Sequence, residues 1–206
     1  VKQGSIDLQA NYTNILTGLA TPEELRHWTD ASRQMQATYG FPAMRSAMHS
    51  DIPGLSWTVV SALAESGVRY FSSGPNYVPG LPDRGDRIGG TLKALGDKPF
   101  WWVSPSGEQR LLYWTAGRGY SWFHGLNTGQ MSDNSRDTIL DYVYELAAAG
   151  YPWDLIQARY TIGGDNGPTD PNLPDIVKRW NEQFETPRLV INTTEALCAE
   201  LEKRHG

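Results

Sequence analysis

The stretch AMHSDIPGLSW (47–57) sets His49 and Asp51 two residues apart, just ahead of a Pro-Gly turn. On an extended backbone alternate side chains share a face, so this imidazole and carboxylate could hold one metal ion or act as an acid–base pair. A zinc site needs three or four ligands, and neither His27, His124 and His205 nor the single cysteine, Cys198, stands at a telling spacing. Taken alone, His49 reads as a packed or hydrogen-bonded histidine. A second carboxylate, Asp165 in GGDNGPTDP (163–171), follows another apolar run much as Asp51 follows AMRSAMH (43–49). Glycoside hydrolysis uses such a pair, one carboxylate as nucleophile and the other as general acid. Each aspartate also fits plain turn chemistry, since Asp before Pro-Gly and Asp165-Asn166-Gly167 bond their own downstream backbone. Spacing leaves both readings open.

In parallel α/β folds reactive groups collect where strands end and βα loops begin, and the chain has that rhythm. SIDLQA (5–10), AMRSAMH, VRYFSS (68–73), WDLIQARYTI (153–162) and RLVIN (188–192) read as strands. Thr21 ahead of Pro22, Glu23 and Glu24 caps a helix over 22–39 that Gly40 stops. Further helices are expected over 55–66, 134–149 and 173–184 and from Thr194, the first two stopped by Gly67 and Gly150. FWWVSPSGEQRLLYWTA (100–116) reads as a hairpin inserted into the βα order. The Gly- and Pro-rich 74–98 reads as a long loop with at most a short helix near 88–95, and long loops in compact domains are often functional. There is no internal repeat or low-complexity tract. The expectation is one α/β domain over 1–206.

With 206 residues, 39% of them hydrophobic, the chain can bury a core. Its net charge of −5, with 18 Lys and Arg spread thinly, offers no footprint for nucleic acid. No apolar run approaches the roughly 18 to 20 residues of a membrane helix, so a chain without membrane contact is expected. VKQGSIDLQA has no signal-peptide core, and an opening without Met suggests a processed product or a piece of something longer. Cys198 cannot form an internal disulfide and reads as a buried helix cysteine. Two sequons, at Asn11 and Asn192, carry little weight. Among 8 Trp and 10 Tyr, Trp57, Tyr77, Trp101, Trp102, Trp114, Tyr120 and Trp122 stand in loops or near strand ends where flat rings could stack on a sugar, although most aromatics belong to the core and only a minority are expected to face a ligand.

NYTNILTGLATPEEL (11–25), MRSAMHSDIPGLSWTVVSALAESGVRYFSSGPN (44–76) and DNGPTDPNLPDIVKRWNEQFETPRLVI (165–191) resemble the N-terminal catalytic domain of glycoside hydrolase family 38, the α-mannosidases, in particular divergent bacterial members. The resemblance runs over nearly the whole chain, and its most specific block is 45–76. It implies a seven-stranded α/β barrel, of which this chain is an internal fragment, and hydrolysis with retention at the anomeric carbon. It implies Asp51 as nucleophile and zinc ligand and Asp165 as general acid, where the mannosidases carry two adjacent acids and this chain has Asp165 followed by Asn166. Trp57, Asn76, Tyr77 and Asn166 are the expected substrate contacts. The family's upstream His-x-Asp motif and downstream histidine are not in this segment, so Asp51 alone remains of four zinc ligands. The expectation is therefore zinc in the complete protein, weak or no zinc binding and no activity in this chain, and open sheet edges available for self-association. The competing expectations are a non-catalytic carbohydrate-binding α/β module, and a deacetylase-like metal hydrolase using His49 and Asp51.

Overall fold

A computed structural model describes residues 1–3, 6–52, 54–74, 97–116, 120, 135–160 and 168–206. They fall into two compact units, one of Val1–Tyr120 with Thr193–Arg204 and Gly206, the other of Ser121–Asn192 with His205. No helix among the described residues is long and apolar enough to cross a membrane.

The first unit is mixed α/β. Helices α1 (Pro22–His27) and α2 (Asp30–Tyr39) precede β1 (Ser46–Ser50), α3 (Val59–Glu65) and β2 (Tyr70–Gly74). A hairpin of β3 (Pro99–Val103) and β4 (Arg110–Thr115) follows. The strands form one open sheet in the order β1-β2-β4-β3. β1, β2 and β4 run parallel, with Ser46 beside Tyr70 and Tyr70 beside Leu112, and β3 is antiparallel to β4. The hairpin expected over 100–116 is thus present, and among the described residues it adds one antiparallel strand to a βαβ unit.

Period-2 alternation gives the sheet its two faces. Ala47, Phe71, Leu111 and Tyr113 point one way and pack with Leu25, Trp28, Val59, Val60 and Leu63 from α1 and α3. Leu63, Phe71 and Leu111 are fully buried, and each such side chain contributes about 1.5–3 kcal/mol by leaving water. Phe100 and Trp102 of β3 close this face around Tyr113, with ring centroids 4.9 and 5.3 Å away. Helix α6 (Thr194–His205) is held to the start of the parallel strands. Glu195 there bonds Arg45 at 2.6 Å, and Glu202 takes Arg69 at 2.7 Å and the Tyr70 hydroxyl at 2.8 Å. Cys198 is buried on α6, as expected, and burial raises its thiol to about 12.

The helix expected over 22–39 starts as its sequence dictates. Thr21 Oγ1 accepts from the Glu24 amide at 3.2 Å and Glu24 returns an acceptor to the Thr21 amide at 2.7 Å, a capping box. The helix does not run through, because Trp28 and Thr29 break it. Thr29 sits at φ −103, ψ 0 while the Trp28 indole turns into the core and donates to the Thr13 carbonyl at 2.7 Å. Docking a tryptophan outweighs the few tenths of a kcal/mol that continuous propensity offers. SIDLQA is not a strand over its described residues, 6–10, either: the Ala10 amide donates to the Ser46 carbonyl at 2.8 Å, and no ladder among the described residues extends from it.

In the second unit the described elements are α4 (Ser135–Ala148) and α5 (Leu173–Gln183). Ile139, Tyr142, Leu146 and Trp180 form their core, with Ile156, Tyr160 and Leu189 against it. The expected strands 153–162 and 188–192 are not strands over their described residues. Their apolar residues pack on helices, and the Leu189 N–H and C=O both pair with the Asn181 side chain at 2.9 and 2.8 Å.

Candidate functional site at the carboxyl end of the parallel strands

Asp51 is the first residue beyond β1. Its amide donates to the Gly74 carbonyl at 3.0 Å, carrying the β1–β2 ladder one step further. Its φ of +58 makes it left-handed, the one non-glycine residue so placed among the described residues. Ordinary L residues meet that conformation at a cost of about 1–2 kcal/mol, aspartate and asparagine less. Asp51 is solvent-exposed as a residue.

His49 and Asp51 stand in different surroundings, the first buried and the second exposed past the end of the strand. His49 shares the helix-facing side with Ala47 and is 2% exposed. Its Nε2 donates to the Ile15 carbonyl at 2.9 Å, and the Trp28 ring meets it edge-on at 5.6 Å. Burial holds its pKa below the ordinary 6.5, opposed by the Ile15 carbonyl. This is a neutral core histidine bonded to backbone. The shared face of an extended His-x-Asp does not arise, because the backbone ceases to be extended at Asp51. Below the strand ends lies a buried polar layer in which Ser73 Oγ and Tyr113 OH bond at 2.5 Å and Thr115 is fully enclosed.

Two residues that the sequence did not single out for this site bond the strand that leads to Asp51. Asn14 donates from Nδ2 to the Ser50 carbonyl at 2.9 Å and accepts from the Ser50 amide at 3.4 Å. Asn11 does the same to Met48, at 2.9 and 3.0 Å. The only signal was two asparagines three apart in NYTN. Asn11 is 8% exposed with both amide atoms bonded, so its sequon is closed in the folded chain.

Trp57 is 56% exposed and its indole N–H donates to the Val103 carbonyl at 2.6 Å. Val103 pairs with Arg110, the first residue of β4, so the indole N–H is tied to the hairpin end of β3. Asp165, Asn166, Asn76 and Tyr77 lie outside the described residues. Among the described residues no three His, Cys, Asp or Glu side chains come together as a metal-holding group. Compared with known proteins, the chain matches no family model and no curated protein.

Proposed function

We propose that this chain is part of the catalytic domain of a retaining α-glycosidase of the α-mannosidase type, a partial seven-stranded α/β barrel with an inserted hairpin. The observation that carries the reading is an exposed aspartate held left-handed at the carboxyl end of a parallel strand. Reactive groups of α/β enzymes stand there, and unusual backbone conformations concentrate at functional sites. In this reading Asp51 attacks the anomeric carbon and forms a glycosyl ester while Asp165 gives its proton to the leaving oxygen. Asp165 then takes a proton from the water that hydrolyses the ester. Trp57, Asn76, Tyr77 and Asn166 contact the sugar. Zinc does not fit the described residues, which bring Asp51 and no group of three ligands, and no step here runs through it. The isolated chain is inactive in this reading.

Asp51→Asn in the complete gene product tests it, since asparagine tolerates the left-handed backbone that alanine resists. Hydrolysis of an aryl α-mannoside is expected to fall at least about a thousandfold with the fold intact; wild-type turnover refutes the nucleophile. The second reading, a non-catalytic carbohydrate-binding module, is favoured by the half-exposed, hydrogen-bonded Trp57 ring. Mannoside binding without turnover in the complete wild-type protein decides for it.

A further inference from the structure

The outer edge of β1 is closed by side chains. Residues 45 and 51 bond toward β2, through the Arg45 carbonyl to the Tyr70 amide and the Asp51 amide to Gly74. Alternation therefore turns the backbone groups of Ser46, Met48 and Ser50 outward. The segment Ala10–Asn14 meets all three. The Ala10 amide takes the Ser46 carbonyl, the Asn11 carboxamide takes both Met48 groups, and the Asn14 carboxamide takes both Ser50 groups. Each carboxamide offers one donor and one acceptor side by side, as a residue of a neighbouring strand would. The segment is fastened separately, by the Tyr12 amide to the Trp28 carbonyl at 3.0 Å, the Trp28 indole to Thr13 and His49 to Ile15.

We propose that Asn11 and Asn14 act as a surrogate edge strand that keeps β1 from pairing with a second copy of this chain. An uncovered edge is a template for another strand, and this one is self-complementary. Its outward groups are symmetric about Met48, so two copies related by a two-fold axis set Met48 opposite Met48 and Ser46 opposite Ser50. About four ladder hydrogen bonds result, since the Ala10 amide keeps the Ser46 carbonyl of each copy. The Met48 side chain is 38% exposed. The proposal is independent of any catalytic role for Asp51.

Sedimentation equilibrium on the purified chain tests it. The wild type is expected to stay monomeric where Asn11→Ala/Asn14→Ala dimerises, with a dissociation constant at least about tenfold lower. Adding Met48→Lys is expected to restore the monomer, because two-fold pairing sets like charges directly opposite each other. A double variant as monomeric as the wild type, or association that survives Met48→Lys, overturns the proposal. Should the double variant lose its far-UV circular dichroism, Asn14→Ala alone is examined by hydrogen exchange. The Ser50 amide is then expected to exchange faster in dilute solution and the Ser46 amide to gain protection as concentration rises; exchange like the wild type's at both concentrations overturns the idea.

Discussion

The left-handed backbone at Asp51 makes a prediction that needs no substrate. Asp51→Gly and Asp51→Ala remove the same carboxylate, so whatever the carboxylate contributes cancels when the two variants are compared. What remains is backbone. At φ +58 alanine bears the steric cost of about 1–2 kcal/mol. Glycine bears none there but loses about 0.5–1 kcal/mol more conformational freedom on folding. The difference leaves the glycine variant more stable by about 0.75 kcal/mol at the centre of those ranges, the reverse of the order at an ordinary helical or extended position. With a urea m-value of about 2–3 kcal/mol/M, the unfolding midpoints should differ by about 0.25–0.4 M. Urea unfolding followed by tryptophan fluorescence reads the difference. An alanine variant equal to or above the glycine variant refutes the left-handed assignment, and with it the argument that the strand end is held under strain.

His49 carries a pH prediction. Above pH 6.5 the folded and unfolded states are both neutral at this residue, and below it the unfolded chain takes up a proton that burial makes the folded chain resist. Stability is therefore expected to fall as pH drops from 6.5 toward the lowered folded value, and His49→Gln should flatten that part of the dependence; urea midpoints at pH 7 and 5 check it, and an unchanged slope in the variant refutes it. Trp28→Phe keeps an aromatic ring, though a smaller one, and removes the donor to Thr13, which should cost at least about 1–3 kcal/mol and speed hydrogen exchange over residues 10–15, whereas wild-type stability and exchange would show that the indole bond does not hold the segment.

Local signals in the sequence carried much of the first unit. Thr21-Pro22-Glu23-Glu24 specifies a helix start through groups no more than three residues apart, and the structure has that capping box. Gly40, Gly67 and Gly150 have positive φ, where their helix-stopping role requires it. The hairpin was legible because an apolar run on each side of Ser-Pro-Ser-Gly leaves few other ways to fold. The strands expected at 5–10, 153–162 and 188–192 fared differently, since a β-branched run shows that a segment suits a pleated surface but not whether a partner strand exists. Leu189 finds its backbone partners in the Asn181 carboxamide instead, and that depends on a helix eight residues upstream being folded and adjacent.

The same physics limits how far the site can be read from residue types. Asp51 was visible because an acid before Pro-Gly after an apolar run is a local pattern, and its position at the end of β1 follows from that run being a strand. Whether it shares a face with His49 depended on one dihedral angle, and a left-handed aspartate leaves the same letters as an extended one. Asn11 and Asn14 left only their spacing of three, which does not tell their role, since a carboxamide that replaces a strand is defined by backbone 36 or 37 residues away. Their bonds nonetheless decide how β1 ends: the Asn14 carboxamide grips Ser50, and the next amide is the one that reaches Gly74. Asp51 is thus set between a side-chain surrogate on one edge and a true parallel strand on the other, and both flanks fix the direction in which its chain leaves the sheet.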